Sequence, residues 1–296
     1  MNVLILPHLK IHNANALSSP FTIGFPAMTA WLGFMHALER KLNQAGLSEL
    51  MLHSAAVVSH RCDVQTHKGE GDFVHSIIGT GNPLDKDGSR SAFIEEARCH
   101  LEVSLVIEWS GSEEQVQQPD FAQQLQAVIA TMKVAGGDVL TMQRPFKQSI
   151  DIDNGQETRR LLNQLMPGYV LIERRDLMIE AMQQGNDALD ALLAYLTVHH
   201  GCEKLEDESV VWRSQRKTSG WIVPIATGFQ GISPLGEAKN QRDPSVPHRF
   251  AESVVTLGEF VMAHKIKDLD DILWQYHTDL EHDLYLCQQV NAINEH

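Results

Sequence analysis

The chain has 296 residues, of which 43% are hydrophobic, and its formal net charge is −14. This length and apolar content suffice for a substantial core, which excludes a disordered chain. Phosphate binding relies on Lys and Arg, so the overall charge argues against nucleic acid as a ligand. Residues 1–68 and 212–249, however, each contain more basic than acidic residues. Charge alone does not distinguish a basic groove for RNA from the solvated charged residues of an ordinary protein surface.

The first 142 residues predict alternating strands and helices. Strands are expected over 2–12, 50–64 and 100–109, helices over 29–46 and 119–134, and a short strand after the glycine pair at 136–137. This order is the ferredoxin-like plan, an antiparallel sheet with both helices on one face. The other face is then available for ligands or RNA. Residues 65–97, rich in Gly, Asp, Lys and Ser, predict an inserted arm.

Residues 143–296 predict a mixed, largely helical C-terminal half that packs on this core. Its expected elements are helices over 157–166 and 187–201, a hairpin with a basic tip over 210–229, and a Pro/Gly/Asn-rich loop over 230–249. Two acidic helices are expected to follow, one carrying Val254, Leu257, Phe260 and Val261, the other Leu269, Ile272, Leu273, Tyr276 and Leu280. The predicted fold class is therefore α+β.

Motifs for targeting, metals and cofactors are missing from the sequence. The opening MNVLILPHLK is unlike a signal peptide, and no apolar run approaches the roughly 20 residues of a membrane helix. A cytoplasmic protein without membrane contact, metal or cofactor is expected. One enzymatic class stays open, a metal-independent ribonuclease that uses His8, His12 or His60 as general acid or base near Lys10.

Two features suit RNA chemistry, and each also has a structural interpretation. The pair Gly136 and Gly137 either forms a turn or lets bare backbone approach a phosphate or ribose. Arg213, Arg216 and Lys217 near Trp212 and Trp221 combine cations with an aromatic surface, as in single-stranded RNA binding, or form a solvated turn.

Several stretches in chain order resemble one known family. They are "IHNANALSSPFTIGFP", "VVSHRCDVQ", "NPLDKDGSRSAFIEEARCHLEVSLVI", "MKVAGGDVL", "LMPGYVLIERRDL", "GWIVPIATGF" and "RFAESVVTLGEFV". Together they resemble the subunit that binds the 5′ handle of the guide RNA in type I-F CRISPR surveillance (Csy) complexes. The resemblance implies the RAMP superfamily, whose core is the RNA-recognition-motif version of the ferredoxin-like fold and whose glycine-rich loop is matched by Gly136 and Gly137.

The resemblance also implies a function and partners. The chain is expected to be a non-catalytic subunit that caps the 5′ handle of the CRISPR RNA, pairs with the large subunit and abuts the terminal backbone subunit. The assembled complex would then recognise target DNA by guide pairing in antiviral defence. An endoribonuclease that processes CRISPR repeat RNA is the alternative.

Side-chain chemistry selects candidate RNA ligands. Asparagine and serine supply neutral donors and acceptors, which favours the uncharged loop that follows the first strand. The candidates are Asn13, Asn15, Ser18 and Ser19 in that loop, Arg61 at the end of the second strand, Lys68 and Arg90 in the arm, the glycine pair, and Arg213, Lys217, Trp221, Arg242 and Arg249 in the basic segment.

Overall fold

The computed structural model describes residues 1–78, 84–90, 96–152, 154–204, 207, 209–241 and 243–289. The strands within them are β1 (Asn2–Asn15), β2 (Leu17–Ser19), β3 (Thr22–Ile23), β4 (Met51–Val64), β5 (Thr66–His67), β6 (Ser76–Ile77), β7 (Arg98–Ser110), β8 (Lys133–Val134), β9 (Gly137–Thr141), β10 (Phe146–Ser149), β11 (Tyr169–Glu173), β12 (His199–Lys204), β13 (Val210–Gln215), β14 (Ile222–Gly231), β15 (Ala251–Met262), β16 (Trp274–Asp279) and β17 (Leu284–Gln289). The helices are α1 (Met28–Gln44), α2 (Glu113–Val116), α3 (Phe121–Ala130), α4 (Gly155–Gln164), α5 (Arg175–Gln183) and α6 (Ala188–Leu196), and a 3₁₀ turn covers Ala263–Lys265.

The strands and helices predicted for the first 142 residues are present, but the helix predicted over 119–134 ends at Ala130, and Lys133–Val134 form the unpredicted strand β8. Helix α1 forms because Trp31, Leu38 and Leu42 recur at helical spacing and are all buried. It ends just before Gly46, whose φ of +103° suits the residue that follows a helix. Strand β1 is apolar and buried on both faces over 3–6, and apolar residues alternate with polar ones over 8–12.

One large sheet contains most of the strands. Its order is β11-β15-β14-β17-β16-β4-β7-β1-β9-β8, and β10 also pairs with β1. Strands β4, β7, β1 and β9 are neighbours in that order, and each neighbouring pair is antiparallel. The strands of the second half therefore extend the sheet of the first half across β4, which pairs with both β16 and β11.

The two faces of the sheet differ. On the first face, α1 and α3 pack against the inward side chains of β1, β4 and β7 and form the main core. On the second face, a smaller core covers only one end of these strands, where Val3, Ile5 and Val58 contact α4 and the 263–273 segment. Towards the other end of β1, exposed polar residues such as Lys10 and His12 occupy the second face. This uncovered part of the second face is called the open face below.

The predicted helices at the C-terminal end are wrong. Residues 251–262 form β15, which lies between β11 and β14 inside the sheet. Such a strand carries apolar residues on both faces, so its pattern imitates helical spacing. The second predicted helix does not form either. Leu269, Ile272 and Leu273 are buried, but they lie in a loop before β16, and Leu280 is exposed. The second half is thus mixed rather than largely helical.

The predicted 210–229 hairpin is also wrong. Strand β13 pairs with the preceding β12, with Cys202 opposite Trp212, whereas β14 joins the main sheet between β15 and β17. The helix predicted over 187–201 accordingly ends at Leu196, and β12 begins at His199. Short alternating runs predict a strand but not its partner.

The predicted arm begins with β5 and β6, which pair as a short ladder with Thr66 opposite Ile77. Its residues 79–83 and 91–95 lie outside the described residues. Across the described part of the chain, no helix is long and apolar enough to cross a membrane.

Candidate nucleic-acid interface

The loop after β1 is held by local hydrogen bonds. Asn13 has a left-handed φ of +60°, and its side-chain oxygen accepts a 3.0 Å hydrogen bond from Gln65. The Asn15 side chain closes a turn with Leu17. Its oxygen accepts from the Leu17 N–H, and its amide nitrogen donates to the Leu17 carbonyl. Both asparagines are exposed, so their remaining polar groups face solvent.

The two serines have a structural role in the same loop. Ser18 and Ser19 both contact the hydroxyl of Thr22, at 2.8 and 2.7 Å, across the small β2–β3 hairpin. Ser19 is buried and also accepts from the N–H of Phe21. The hydroxyl of Ser19 therefore stabilises the hairpin, while Ser18 is half-buried at its surface.

The glycine pair forms the turn between β8 and β9. Ala135 and Gly136 both have positive φ, as the two central residues of a type I′ hairpin require. A Cβ on Gly137 would lie 2.7 Å from the His12 carbonyl oxygen and 2.8 Å from the Ala14 nitrogen. Gly137 is therefore required for the close approach of β9 to β1, whereas a Cβ on Gly136 would meet nothing closer than 3.9 Å.

Three predicted residues meet around one cavity of about 570 Å³, called the loop cavity below. Asn15, Ser18 and Gly136 line it together with Arg98 and Lys133. Arg98 pairs with Glu96 at 2.5 Å, and Lys133 pairs with Asp138 at 2.6 Å and lowers the pKa of that carboxyl. The cavity lining thus combines neutral hydrogen-bonding groups with two cations and the carboxylate of Glu96.

The start of α1 also faces the loop cavity. Ala27, the N-cap residue, provides no side-chain cap, and both Ala27 and Ala30 line the cavity. The first N–H groups of a helix lack intrahelical partners and favour negative charge. An uncapped helix start beside two cations is a suitable environment for a phosphate.

The open face is a shallow groove of about 270 Å³. Its charged and polar lining residues are Lys10, His12, Arg61, Asp63, His100 and Glu102. The rings of His12 and His100 stack with centroids 4.5 Å apart, and Arg61 pairs with Asp63 at 2.5 Å. Arg61 is 70% exposed, so its guanidinium remains accessible to a ligand.

A second histidine pair separates the open face from the smaller core. The rings of His8 and His60 stack at 4.2 Å. His60 contacts the Pro167 carbonyl and the Ser104 hydroxyl, both at 2.7 Å, while Ser104 accepts from the N–H of His8. Burial lowers the pKa of His60, with a smaller opposing effect from the Pro167 carbonyl. Both ring nitrogens of His60 are engaged, which favours a structural role for that ring.

The remaining candidates lie on separate elements. Arg213 pairs with Glu203 across the β12–β13 hairpin at 3.3 Å, and the Lys217 ammonium lies 4.2 Å from the Tyr195 ring centroid. Arg249 forms an ion pair with Asp283. Trp221 is half-exposed against Tyr169 and Phe260. Lys68 and Arg90 are exposed in the arm, and Arg242 lies outside the described residues.

Sequence reasoning missed Arg98, Lys133 and His100. Lys133 precedes the glycine turn by three residues, so its position beside that turn was a usable signal. Arg98 and His100 begin β7, and only strand pairing brings them beside β1.

Known proteins match this chain over nearly its whole length. The model of the family described as CRISPR-associated protein (Cas_Csy2) matches residues 4–287. The CRISPR-associated protein Csy2 of Pseudomonas aeruginosa (strain UCBPP-PA14) is 34% identical over 311 aligned residues, which cover 96% of this chain and 94% of that protein. The family model's match includes the residues of the loop cavity and the open face. This chain therefore belongs to the Csy2 family of CRISPR-associated proteins.

Proposed function

We propose that this chain is a non-catalytic, RNA-binding subunit of a type I-F CRISPR complex and that it caps the 5′ handle of the CRISPR RNA. The loop cavity is the observation that carries the proposal. It combines the neutral groups of Asn15 and Ser18 with the cations Arg98 and Lys133 and the start of α1. Neutral donors suit base and ribose edges, and the cations and helix start suit phosphates.

The fold supports the same proposal. Strands β4, β7, β1 and β9 follow the antiparallel order of a ferredoxin-like core, and α1 and α3 lie on one face of it. We infer that this unit is the RNA-recognition-motif core of the RAMP superfamily. The glycine turn at the start of β9 then corresponds to the glycine-rich loop of that superfamily.

The charge distribution indicates that RNA is bound jointly with partners. Arg98 and Lys133 are each paired with a carboxylate, so a phosphate must compete with Glu96 and Asp138. The whole chain also carries a net charge of −14, which opposes RNA binding in isolation. We infer that the large subunit completes the handle site and that the terminal backbone subunit lies next to it. Target DNA is recognised by guide pairing in the assembled complex.

Co-expression tests this proposal directly. The chain, the other subunits and a CRISPR array are expressed together, and the purified particle is assayed for RNA. Omission of this chain is expected to prevent formation of a guide-loaded particle. Recovery of the complete particle with its guide in the absence of this chain would contradict the proposal.

Salt dependence tests the loop cavity. Arg98→Gln and Lys133→Gln are each expected to weaken handle binding by the particle and to reduce the slope of log K against log[salt] by about 0.7. Arg159→Gln is the matched control, because Arg159 is an exposed arginine on α4 and lines neither the loop cavity nor the open face. Unchanged slopes for both cavity variants would remove the loop cavity from the RNA site.

The ribonuclease alternative has its own test. His8 already contacts Glu102 at 2.8 Å, and both nitrogens of His60 are occupied, so His12 is the most accessible of the three candidate histidines. Purified chain is incubated with repeat RNA in the presence of a chelator. Specific cleavage that is lost in a His8→Ala, His12→Ala double variant would replace the non-catalytic assignment.

A further inference from the structure

Four aromatic side chains from distant parts of the sequence form a continuous cluster beside the loop. Phe25 contacts Phe260 at 5.3 Å between ring centroids, Phe260 contacts Trp221 at 5.1 Å, and Trp221 contacts Tyr169 at 5.2 Å. All four line a cavity of about 260 Å³, called the aromatic cleft below. Drug-sized ligands occupy roughly 300–1,000 Å³, so this cleft suits a ligand with a single small ring system.

The aromatic surface of the cleft is accessible. Trp221 is 52% exposed, although two aromatic neighbours contact it, and Ile23 at the rim is 47% exposed. An apolar concavity that stays open to solvent is typical of a binding site. An indole face in such a position offers a stacking surface for a planar ligand.

The opposite wall of the cleft is the edge of a strand. Residues 59–62 of β4 line the cleft. Beyond Ser59, the only strand partner of β4 in the described part of the chain is β7. The other edge of β4 therefore presents backbone N–H and C=O groups at fixed positions. Such groups can hydrogen-bond to the edge of a planar heterocycle.

A cation links the cleft to the open face. Arg61 lines both the aromatic cleft and the groove of the open face. Gly24 and Phe25 of the cleft also belong to the same uncharged segment as Asn15 and Ser18 of the loop cavity. A nucleic-acid strand on this surface therefore meets a cation and an aromatic pocket side by side.

We propose that the aromatic cleft binds one unstacked nucleobase of the RNA, with the base against Trp221, its edge on β4 and the adjacent phosphate at Arg61. This inference rests on the proposed function and assigns a base-binding site within it. An aromatic side chain of a protein partner is the competing occupant. The polar strand edge favours a nucleotide, because a buried apolar side chain would leave its N–H and C=O groups without partners. Arg61, 70% exposed beside Asp63, can also contact a phosphate there.

A double-mutant cycle tests the site in the assembled particle with synthetic RNA that carries the handle. Trp221→Ala is expected to weaken RNA binding about 5- to 150-fold, the effect of losing one base–aromatic stack. Tyr285→Ala is the matched control, since Tyr285 is a 41% exposed aromatic residue on β17 that lines neither the loop cavity, the open face nor the aromatic cleft, and no change is expected for it. Replacing handle nucleotides one at a time by abasic sites should identify one position at which Trp221→Ala has no further effect.

The outcomes separate this inference from the proposed function. If the wild-type particle binds no handle RNA, both fail. If the wild-type particle binds RNA but no abasic position is coupled to Trp221, only the base-binding site is overturned. Weaker particle assembly in Trp221→Ala would then identify a protein side chain as the occupant.

The unmutated particle gives a second measurement that does not depend on a folded variant. Handle RNA that contains 5-iodouridine is expected to crosslink to Trp221 or Tyr169. Crosslinks that map only outside the cleft would contradict the proposal.

Discussion

The two glycines of the β8–β9 turn are expected to respond in opposite ways to substitution. In Gly137→Ala, the new Cβ lies 2.7 Å from the His12 carbonyl oxygen and 2.8 Å from the Ala14 nitrogen, and neither backbone atom can move without displacing β1. Overpacking of this kind costs about 1–3 kcal/mol of folding free energy. In Gly136→Asn, the side chain projects into the loop cavity, and asparagine tolerates the positive φ of +77°. A side chain at this φ is still strained, so we expect Gly136→Asn to cost about 1 kcal/mol, less than Gly137→Ala.

Urea unfolding followed by tryptophan fluorescence measures both effects. With a slope of about 2 kcal/mol per M, a loss of 2 kcal/mol lowers the unfolding midpoint by roughly 1 M. RNA binding should show the reverse order: Gly136→Asn fills part of the loop cavity and weakens handle binding by the particle, whereas folded Gly137→Ala retains it. An unaltered midpoint for Gly137→Ala, or a Gly136→Asn variant less stable than Gly137→Ala, would refute this assignment of the two glycines.

Three further predictions concern the open face and the histidine pair beside it. Arg61→Gln should reduce the slope of log K against log[salt] for handle binding by about 0.7, whereas Arg159→Gln should leave it unchanged. Equal slopes for Arg61→Gln and the wild type would exclude Arg61 from phosphate contact. Ser104→Ala removes the hydrogen-bond partner of both the His8 N–H and the His60 ring. It should lower the free energy of unfolding, measured with urea, by about 1–3 kcal/mol. The half-buried control Ser110→Ala should lower it by less. Burial lowers the pKa of His60, so the folded chain keeps this ring neutral at pH values where the unfolded ring, with a pKa of about 6.5, is protonated. Its contribution to stability is therefore complete above about pH 6.5 and declines below it. His60→Asn should make the unfolding midpoint less dependent on pH below about 6.5, and equal dependence in both proteins would contradict this.

The local pattern of the sequence determined the first half of the fold. Alternation of Leu9 and Ile11 with polar neighbours predicted β1, and helical spacing predicted α1, because the apolar residues of both patterns are buried in the same core. The uncharged loop and the glycine turn were also identifiable, since their residue types are those that turns require. The same reasoning failed for residues 254–261, because β15 carries apolar residues on both faces and leaves no alternation to detect.

Tertiary structure alone decided which side chains meet. Arg98 reaches the loop cavity through the pairing of β7 with β1, and Trp221 reaches Phe25 only after β14 and β15 extend the sheet. Ser18 and Ser19 have the same chemistry in the sequence, yet one lines the cavity and the other is buried in the hairpin. Residue type and spacing set local conformation, whereas strand pairing between distant segments sets proximity and burial, and a binding site depends on both.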